Sequence, residues 1–498
     1  ILSTITAPLE PAFADHLMPR QFAVGVNGGI SIMVHGIRLM LEMRGDFVVV
    51  RIDLKNAYNS IRRAKLLERI AAVPGVNALT PLLLALLGPK GLLVLPDGSR
   101  LYEGEGREDS EEGLGQGIPF ASGAFCVAIA PEVEALHAEL AASGGGAWFL
   151  MDDGYAVGPA GAVFGAVRRF AEAVSRELDL QLQFHKCTCF SHDVELQDLP
   201  ERIEAGIEMG GEYERVSSAC DQDQAYAFLS DEAQQQECEA AGPRRFFRGI
   251  MVGGVPVGED AFIKSKLEGI GRRFVSYSQT TVSQLRSVTP HGLWSALYYC
   301  VQHRIDHWLM HLPPDFTTQL ALTADVAMQR AVESLTYSGL LDDHLVAERV
   351  ELPARMRGCG IRSRRDLANA AFCGCFRTAA ERFIDVNDGE GVVRGCFPQL
   401  ERLFGAGSFD LDAQDRRLTE FLTRYDTVTT NAFSGAWWAM QRDVSEHETE
   451  GPLTDDAETC RASRHLQRDL TRQREYAKFL RLNQDLTELP QEDERRQA

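Results

Sequence analysis

The chain has 498 residues and a mass of 55.1 kDa, enough for about two to four domains and too long for a single small binding module. It is 45% hydrophobic and 24% charged, an ordinary globular composition that argues against large-scale disorder. The formal charge is −20: residues 101–250 alone hold 28 Asp and Glu against 10 Lys and Arg, and bulk charge by itself argues against a nucleic-acid binder.

The longest apolar stretch, 80–96, is cut by Gly88, Pro89 and Lys90, so no membrane span is expected. The chain opens Ile1-Leu2-Ser3, without an initiator Met or the basic and apolar regions of a signal peptide. The expectation is a fragment or processed chain that lacks an upstream part. The 11 cysteines are odd in number and show no framework spacing, which points to a reducing compartment and mostly free, buried thiols.

In chain order, residues 47–53 are a β-branched run that reads as a buried strand, followed by a helix at 61–70. A second strand, 147–151, stops at Asp152-Asp153-Gly154 and resumes at 155–157. Asp-Gly between apolar runs predicts a hairpin, with Gly154 supplying the positive φ of the turn. Val163, Phe164, Val167, Phe170, Val174 and Leu178 then recur at helical spacing. The alternating residues 180–184 predict another strand. Residues 198–245 are acidic, Gln-rich and weakly patterned, and read as an inserted surface excursion. Beyond about residue 260, helical patterns dominate. The layout is α+β first and mostly α afterwards.

Three carboxylates stand out. Asp53 ends one buried strand, and Asp152 and Asp153 sit at a hairpin tip. Each alone is also an ordinary turn or cap residue. Held together they would repel one another and call for cations. Oxygen-only ligation suits Mg²⁺, and two such ions can serve a phosphoryl transfer. Between the two strands lies Gly113-Leu114-Gly115-Gln116-Gly117-Ile118-Pro119-Phe120, a loop whose glycines allow close approach to a ligand and whose Gln116 offers a donor and an acceptor.

In order and in combination these residues resemble a known family. Asp53-Leu54-Lys55-Asn56-Ala57-Tyr58-Asn59-Ser60, Gly115-Gln116-Gly117-Ile118-Pro119, Leu150-Met151-Asp152-Asp153-Gly154 and Lys186 are similar to polymerase motifs A, B, C and D of reverse transcriptases, above all those of non-LTR (LINE-like) retrotransposons. Upstream, 19–29 resembles the finger segment that precedes motif A. Downstream, 249–258 resembles the motif E hairpin, with Val252, Gly253 and Gly254 as the primer grip. The resemblance covers about residues 15–260 and fades through a thumb-like region to about 380. It implies an α+β right-hand polymerase with an antiparallel-sheet palm. Partial fingers would occupy 1–45 and the palm 46–260, with a fingers insertion at about 70–115 and the acidic excursion at about 198–245. A helical thumb at 261–400 and a helical C-terminal extension at 401–498 would follow.

The implied activity is RNA-directed DNA synthesis: nucleotidyl transfer of dNTPs to a primer 3′-hydroxyl, on an RNA template with a DNA primer. The resemblance makes Asp53, Asp152 and Asp153 the catalytic set and gives two Mg²⁺ ions (or Mn²⁺) as cofactors. Their ligands would be Asp53 and Asp152 with the Leu54 carbonyl, and Asp153 would tune the site or reach the primer-side metal. Tyr58, Gln116, Gly117 and Lys186 would bind the nucleotide. Lys186 would approach the pyrophosphate, although a Lys beside a core strand also reads as a snorkelling surface residue. Tyr58 lies where reverse transcriptases place an aromatic ring against a nucleotide's 2′-hydroxyl; RNA-dependent RNA polymerases usually place an Asp there. An intracellular, nuclear location is implied by the way such elements copy themselves.

Weaker signals are a helical face of Cys300, His303, His307 and His311, which could take zinc but lacks a second Cys/His pair, and the stripe Arg461, Arg464, Arg468 and Arg472, a phosphate contact or a solvated face. No endonuclease or RNase H signature is read. Two alternatives stay open. One is a catalytically inactive or domesticated scaffold that binds RNA or protein, favoured by the very acidic 103–112 and the missing N-terminal part. The other is an RNA-dependent RNA polymerase.

Overall fold

The β-branched run after Asp46 forms the strand Phe47–Ile52 (β1), in a computed structural model that describes residues 7–87, 92–94, 100–102, 113–114, 120–215, 244–336, 339, 341, 343–384, 386–387, 392–393, 395–400 and 466–488. Val48, Val50 and Ile52 point into a core shared with the helices Ala121–Ala141 and Ala160–Leu178, while Val49 and Arg51 point to the other face, as the two-residue repeat of a strand requires. A small antiparallel pair, Leu92–Val94 (β2) with Arg100–Tyr102 (β3), follows the helices Arg63–Ala72 and Thr80–Leu87.

Gly146–Leu150 (β4) and Asp153–Pro159 (β5) form an antiparallel hairpin, and β5 also pairs with β1, with Phe47 opposite Pro159 and Ile52 opposite Gly154. On the far side β1 pairs antiparallel with Thr188–Phe190 (β6). Glu208–Met209 (β7) completes a five-stranded sheet of order β4-β5-β1-β6-β7. This last pairing is parallel, so the expected antiparallel sheet is mixed. The reason is local: the chain returns from β6 through the helix Pro200–Ala205, and such a crossover brings the next strand back in the same direction. Residues 198–215 are thus built into the fold, through this helix, β7 and Gly211–Arg215 (β8), rather than forming a surface excursion; 216–243 lie outside the described residues. A three-stranded antiparallel sheet joins β8 to Arg244–Val252 (β9) and Val255–Gly258 (β10).

The predicted helix over 161–178 is observed as Ala160–Leu178, with Val163, Phe164, Val167, Phe170, Val174 and Leu178 all buried. The predicted strand at 180–184 is reduced to one bridge, Leu54 to Leu182, before a 3-10 turn at Phe184–Lys186.

These elements belong to one compact unit, Ile1–Asn27 with Arg44–Ile263; a second comprises Gly28–Met43 with Lys264–Ala498. The segment 28–43, grouped by sequence with residues 1–45, therefore clusters with the second unit. There the helix Gly29–Met43 is buried on nearly every side, beside the helices Asp306–His311 and Arg364–Ala380. The Arg364–Ala380 helix also packs on Pro314–Glu333 and on Leu466–Glu488. A small apolar cluster of Leu345, Leu352 and Leu482 and the Lys478 ion pairs to Glu351 and Asp366 seat that last helix. The described part of the molecule is mixed α/β and predominantly helical, and it contains no helix long and apolar enough to cross a membrane.

Candidate active site

The first unit brings three distant carboxylates to one end of its sheet. Asp53 is the residue after β1. The β1–β5 register pairs Arg51 with Tyr155 and Ile52 with Gly154, so one step further along it Asp53 faces Asp153. Leu150 pairs with Asp153 across the β4–β5 hairpin, which leaves Met151 and Asp152 as its two turn residues. Neighbouring strands lie about 4.8 Å apart, so Asp53, Asp152 and Asp153 share one rim, all half-buried.

The turn is built differently from the expectation for Asp-Gly. Gly154 lies within β5, and the positive φ, 61°, belongs to Met151. Glycine is needed at 154 for space: an added Cβ would lie 2.3 Å from Cε1 of Phe149.

Backbone contacts fix Asp53 on both sides. Its N–H donates to Sγ of Cys187 at 3.4 Å and its carbonyl accepts from the Gln183 N–H at 2.9 Å. The Lys55 N–H donates to the Gln181 carbonyl at 2.8 Å. The segment 181–183 is a strap across the end of β1, and the polar alternation there serves that strap. Leu54 is buried under it.

The electrostatics are unequal. Asp153 is tied to Arg51, whose Nη2 donates to Oδ1 at 2.9 Å. Burial lifts the Asp152 carboxyl above its ordinary range, repulsion from Asp153 and Asp53 adds to this, and its own backbone N–H and Arg51 act against it. Tyr58 and Cys126 lie close enough to feel the Asp152 charge. The Tyr58 ring stacks on Phe125 with centroids 4.9 Å apart, and burial pushes its phenol up to about 12. Burial also drives the Cys126 thiol up, so it stays protonated beside the carboxylates.

No protein-family model and no curated protein matches this chain.

Among the described residues no group of three or more His, Cys, Asp or Glu is arranged to hold a metal by itself. The donor chemistry nevertheless fits a hard dication. Asp53 and Asp152 offer oxygens that repel each other, the neighbouring thiols are protonated, and Mg²⁺ needs only one or two protein carboxylates when waters and substrate phosphates complete its shell. Cys300, His303, His307 and His311 do not form a common face. A π-turn at Leu297–Val301 and a further turn break the helical repeat; Cys300 is exposed, and His311 is buried against Ser31.

The other expected site residues divide into three groups. Gln116 and Gly117 lie outside the described residues, as do Arg461 and Arg464. Lys186 is exposed at the end of its 3-10 turn, where its ammonium makes no hydrogen bond or ion pair with the described residues. Gly253 and Gly254 form the β9–β10 turn, closed by the pairing of Val252 with Val255: Val252 is buried, and the two glycines take φ of 55° and 80°, values that favour glycine. The Tyr155 hydroxyl reaches this turn, accepting from the Gly253 N–H at 2.9 Å and donating to the Met251 carbonyl at 3.3 Å.

Arg51, Gln21, Tyr155 and Cys187 were not singled out from the sequence. Arg51 left a trace, a lone charge inside an apolar run two residues before Asp53. Gln21 lay within the finger-like segment 19–29 without a role of its own, and Tyr155 and Cys187 gave no sign of theirs, because their partners lie far along the chain.

Proposed function

We propose that this chain is an RNA-directed DNA polymerase of the non-LTR (LINE-like) reverse-transcriptase type, extending a DNA primer on an RNA template and acting in the nucleus. The observation that carries the reading is the meeting of Asp53 with the Asp152-Asp153 turn at one end of the β4-β5-β1 sheet, with Asp152 under charge pressure from both neighbours. Two Mg²⁺ ions, or Mn²⁺, held by Asp53 and Asp152 with the Leu54 carbonyl, would acidify the primer 3′-hydroxyl and neutralise charge on the transferred phosphate and leaving pyrophosphate.

The protein's own groups supply the rest. Arg51 neutralises Asp153, so two of the three carboxylates remain for cations. The Tyr58 ring, braced by Phe125, occupies 2′ space and favours deoxynucleotides. Lys186, free to reach outward, protonates the leaving pyrophosphate. The Gly253-Gly254 turn, anchored to Tyr155 only two residues beyond Asp153, seats the primer end beside the carboxylates. Gln116 and Gly117 contact the incoming nucleotide.

The Arg51–Asp153 ion pair also favours a second reading, in which a built-in cation takes the place of a metal and the scaffold binds RNA without catalysis. Primer extension on poly(rA)/oligo(dT) with Mg²⁺ separates the two. The polymerase reading expects dTTP incorporation that Asp152→Asn reduces by more than the about 10- to 100-fold typical of outer-shell changes at metal sites. Preference for UTP would make the chain an RNA polymerase. Extension by neither nucleotide, with retained RNA binding, would favour the inactive scaffold.

A further inference from the structure

The turn that carries Asp152 has an unusual support. Met151, the residue just before it, holds a left-handed φ of 61°, a conformation that non-glycine residues rarely adopt. Its two backbone groups are both satisfied by one side chain. The Gln21 Oε1 accepts from the Met151 N–H at 2.7 Å, and the Gln21 Nε2 donates to the Met151 carbonyl at 3.0 Å. Having to meet a donor and an acceptor fixes which way round the amide sits. Gln21 is 3% exposed and is itself pinned to β4, with the Phe149 N–H donating to the Arg20 carbonyl at 2.8 Å and the Phe22 N–H to the Phe149 carbonyl at 2.9 Å. Residues 20–22 thus run beside β4, and the Gln21 amide extends their pairing past the strand's end, where the hairpin has already turned away.

A side chain that copies the pairing of a strand edge is an expensive device for an ordinary turn, since a glycine at 151 would relieve the strain directly. What the device adds is a fixed origin for the next residue. We infer that Gln21 is a positioning residue that acts through the Met151 backbone to set Asp152 for divalent-cation binding. This rests on the reading of Asp53 and Asp152 as cation ligands.

The test is Mn²⁺ binding to the full chain, followed by electron paramagnetic resonance, with thermal unfolding of every variant alongside. Wild type should bind Mn²⁺ and Asp152→Asn should not. Gln21→Leu, which removes both hydrogen bonds at similar side-chain size, should weaken Mn²⁺ about 10- to 100-fold, the range of outer-shell groups at metal sites. Adding Met151→Gly should recover at least half of that loss on a logarithmic scale, because glycine holds the left-handed φ unaided. Leu140→Ala, a core change at the far end of the Ala121–Ala141 helix, should lower stability without moving Mn²⁺ affinity. If Gln21→Leu does not fold, Gln21→Met serves the same comparison.

Unchanged Mn²⁺ affinity in Gln21→Leu, no recovery with Met151→Gly, or equal weakening by Leu140→Ala would each overturn the positioning role while leaving the cation site intact. Failure of the wild type to bind Mn²⁺ would remove the cation site and this inference with it.

Discussion

Arg51 decides how much negative charge the site presents. Its guanidinium holds Asp153 at 2.9 Å, and its charge also acts on Asp53 and Asp152. Both partners are partly exposed, so the pair itself contributes about 1 kcal/mol or less to stability. Its effect on the carboxylates is larger in consequence than in energy, because removing it leaves three repelling charges on one rim. Arg51→Met should therefore lower the unfolding temperature in the absence of divalent cations, and Mg²⁺ should restore more of it than Mg²⁺ adds to wild type. Thermal unfolding across a Mg²⁺ titration measures that difference. Equal Mg²⁺ responses in the two proteins would show that the rim does not hold the cation. The carboxylates were legible in the sequence because each sits at an abrupt end of an apolar run; the pairing of Arg51 with Asp153 was not, since it depends on the β1–β5 register.

Register likewise explains the elements. The helix Ala160–Leu178 could be read position by position, because its burial pattern is set by residues three and four apart. The segments 180–184 and 198–215 were misread because strand pairing is chosen by distant partners: the first bridges only residues 53–55, just beyond β1, and the second joins β6 in parallel through residues 208–209 and β9 antiparallel through 211–215. The β4–β5 hairpin shows the same limit. Its existence was legible, but Gly154 serves packing against the Phe149 ring, and Met151 carries the turn. Gly154→Ala should then cost about 1–3 kcal/mol by overpacking, read from urea unfolding. Combining it with Phe149→Leu, which shortens the opposing side chain, should return part of that loss relative to Phe149→Leu alone. If the glycine instead served backbone conformation, the two substitutions would simply add.

At the scale of the whole molecule, both units bury neutral histidines, and this ties their stability to pH. In the first unit His137 lies against the Ala147 backbone with Trp148 edge-on, and burial, helped by Arg20, lowers its pKa to about 4. In the second, His311 is lowered to about 4, mainly by burial and then by His307. His35, enclosed by His311, Arg38, Phe372, Phe376 and Cys375, is pushed well below 6.5, again by burial first. An unfolded histidine takes up its proton near pH 6.5, whereas these folded ones do so only much lower. Between those values the unfolded state binds more protons, so stability is complete above about pH 6.5 and is lost as pH falls towards 4. The limiting slope is about 1.4 kcal/mol per pH unit for each histidine. Buried carboxyls raised by desolvation, Asp152 in the first unit and Asp325 and Glu351 in the second, work the other way, because the folded state accepts their protons first. A substitution isolates the histidine contribution from theirs. His137→Gln keeps an acceptor for the Ala147 N–H and removes the proton site, so the urea midpoint of the first unit should fall less between pH 7 and pH 5 in the variant than in wild type. Parallel curves would mean that His137 takes up its proton at the same pH folded and unfolded, and the dry packing around Trp148 could not then be its environment in solution.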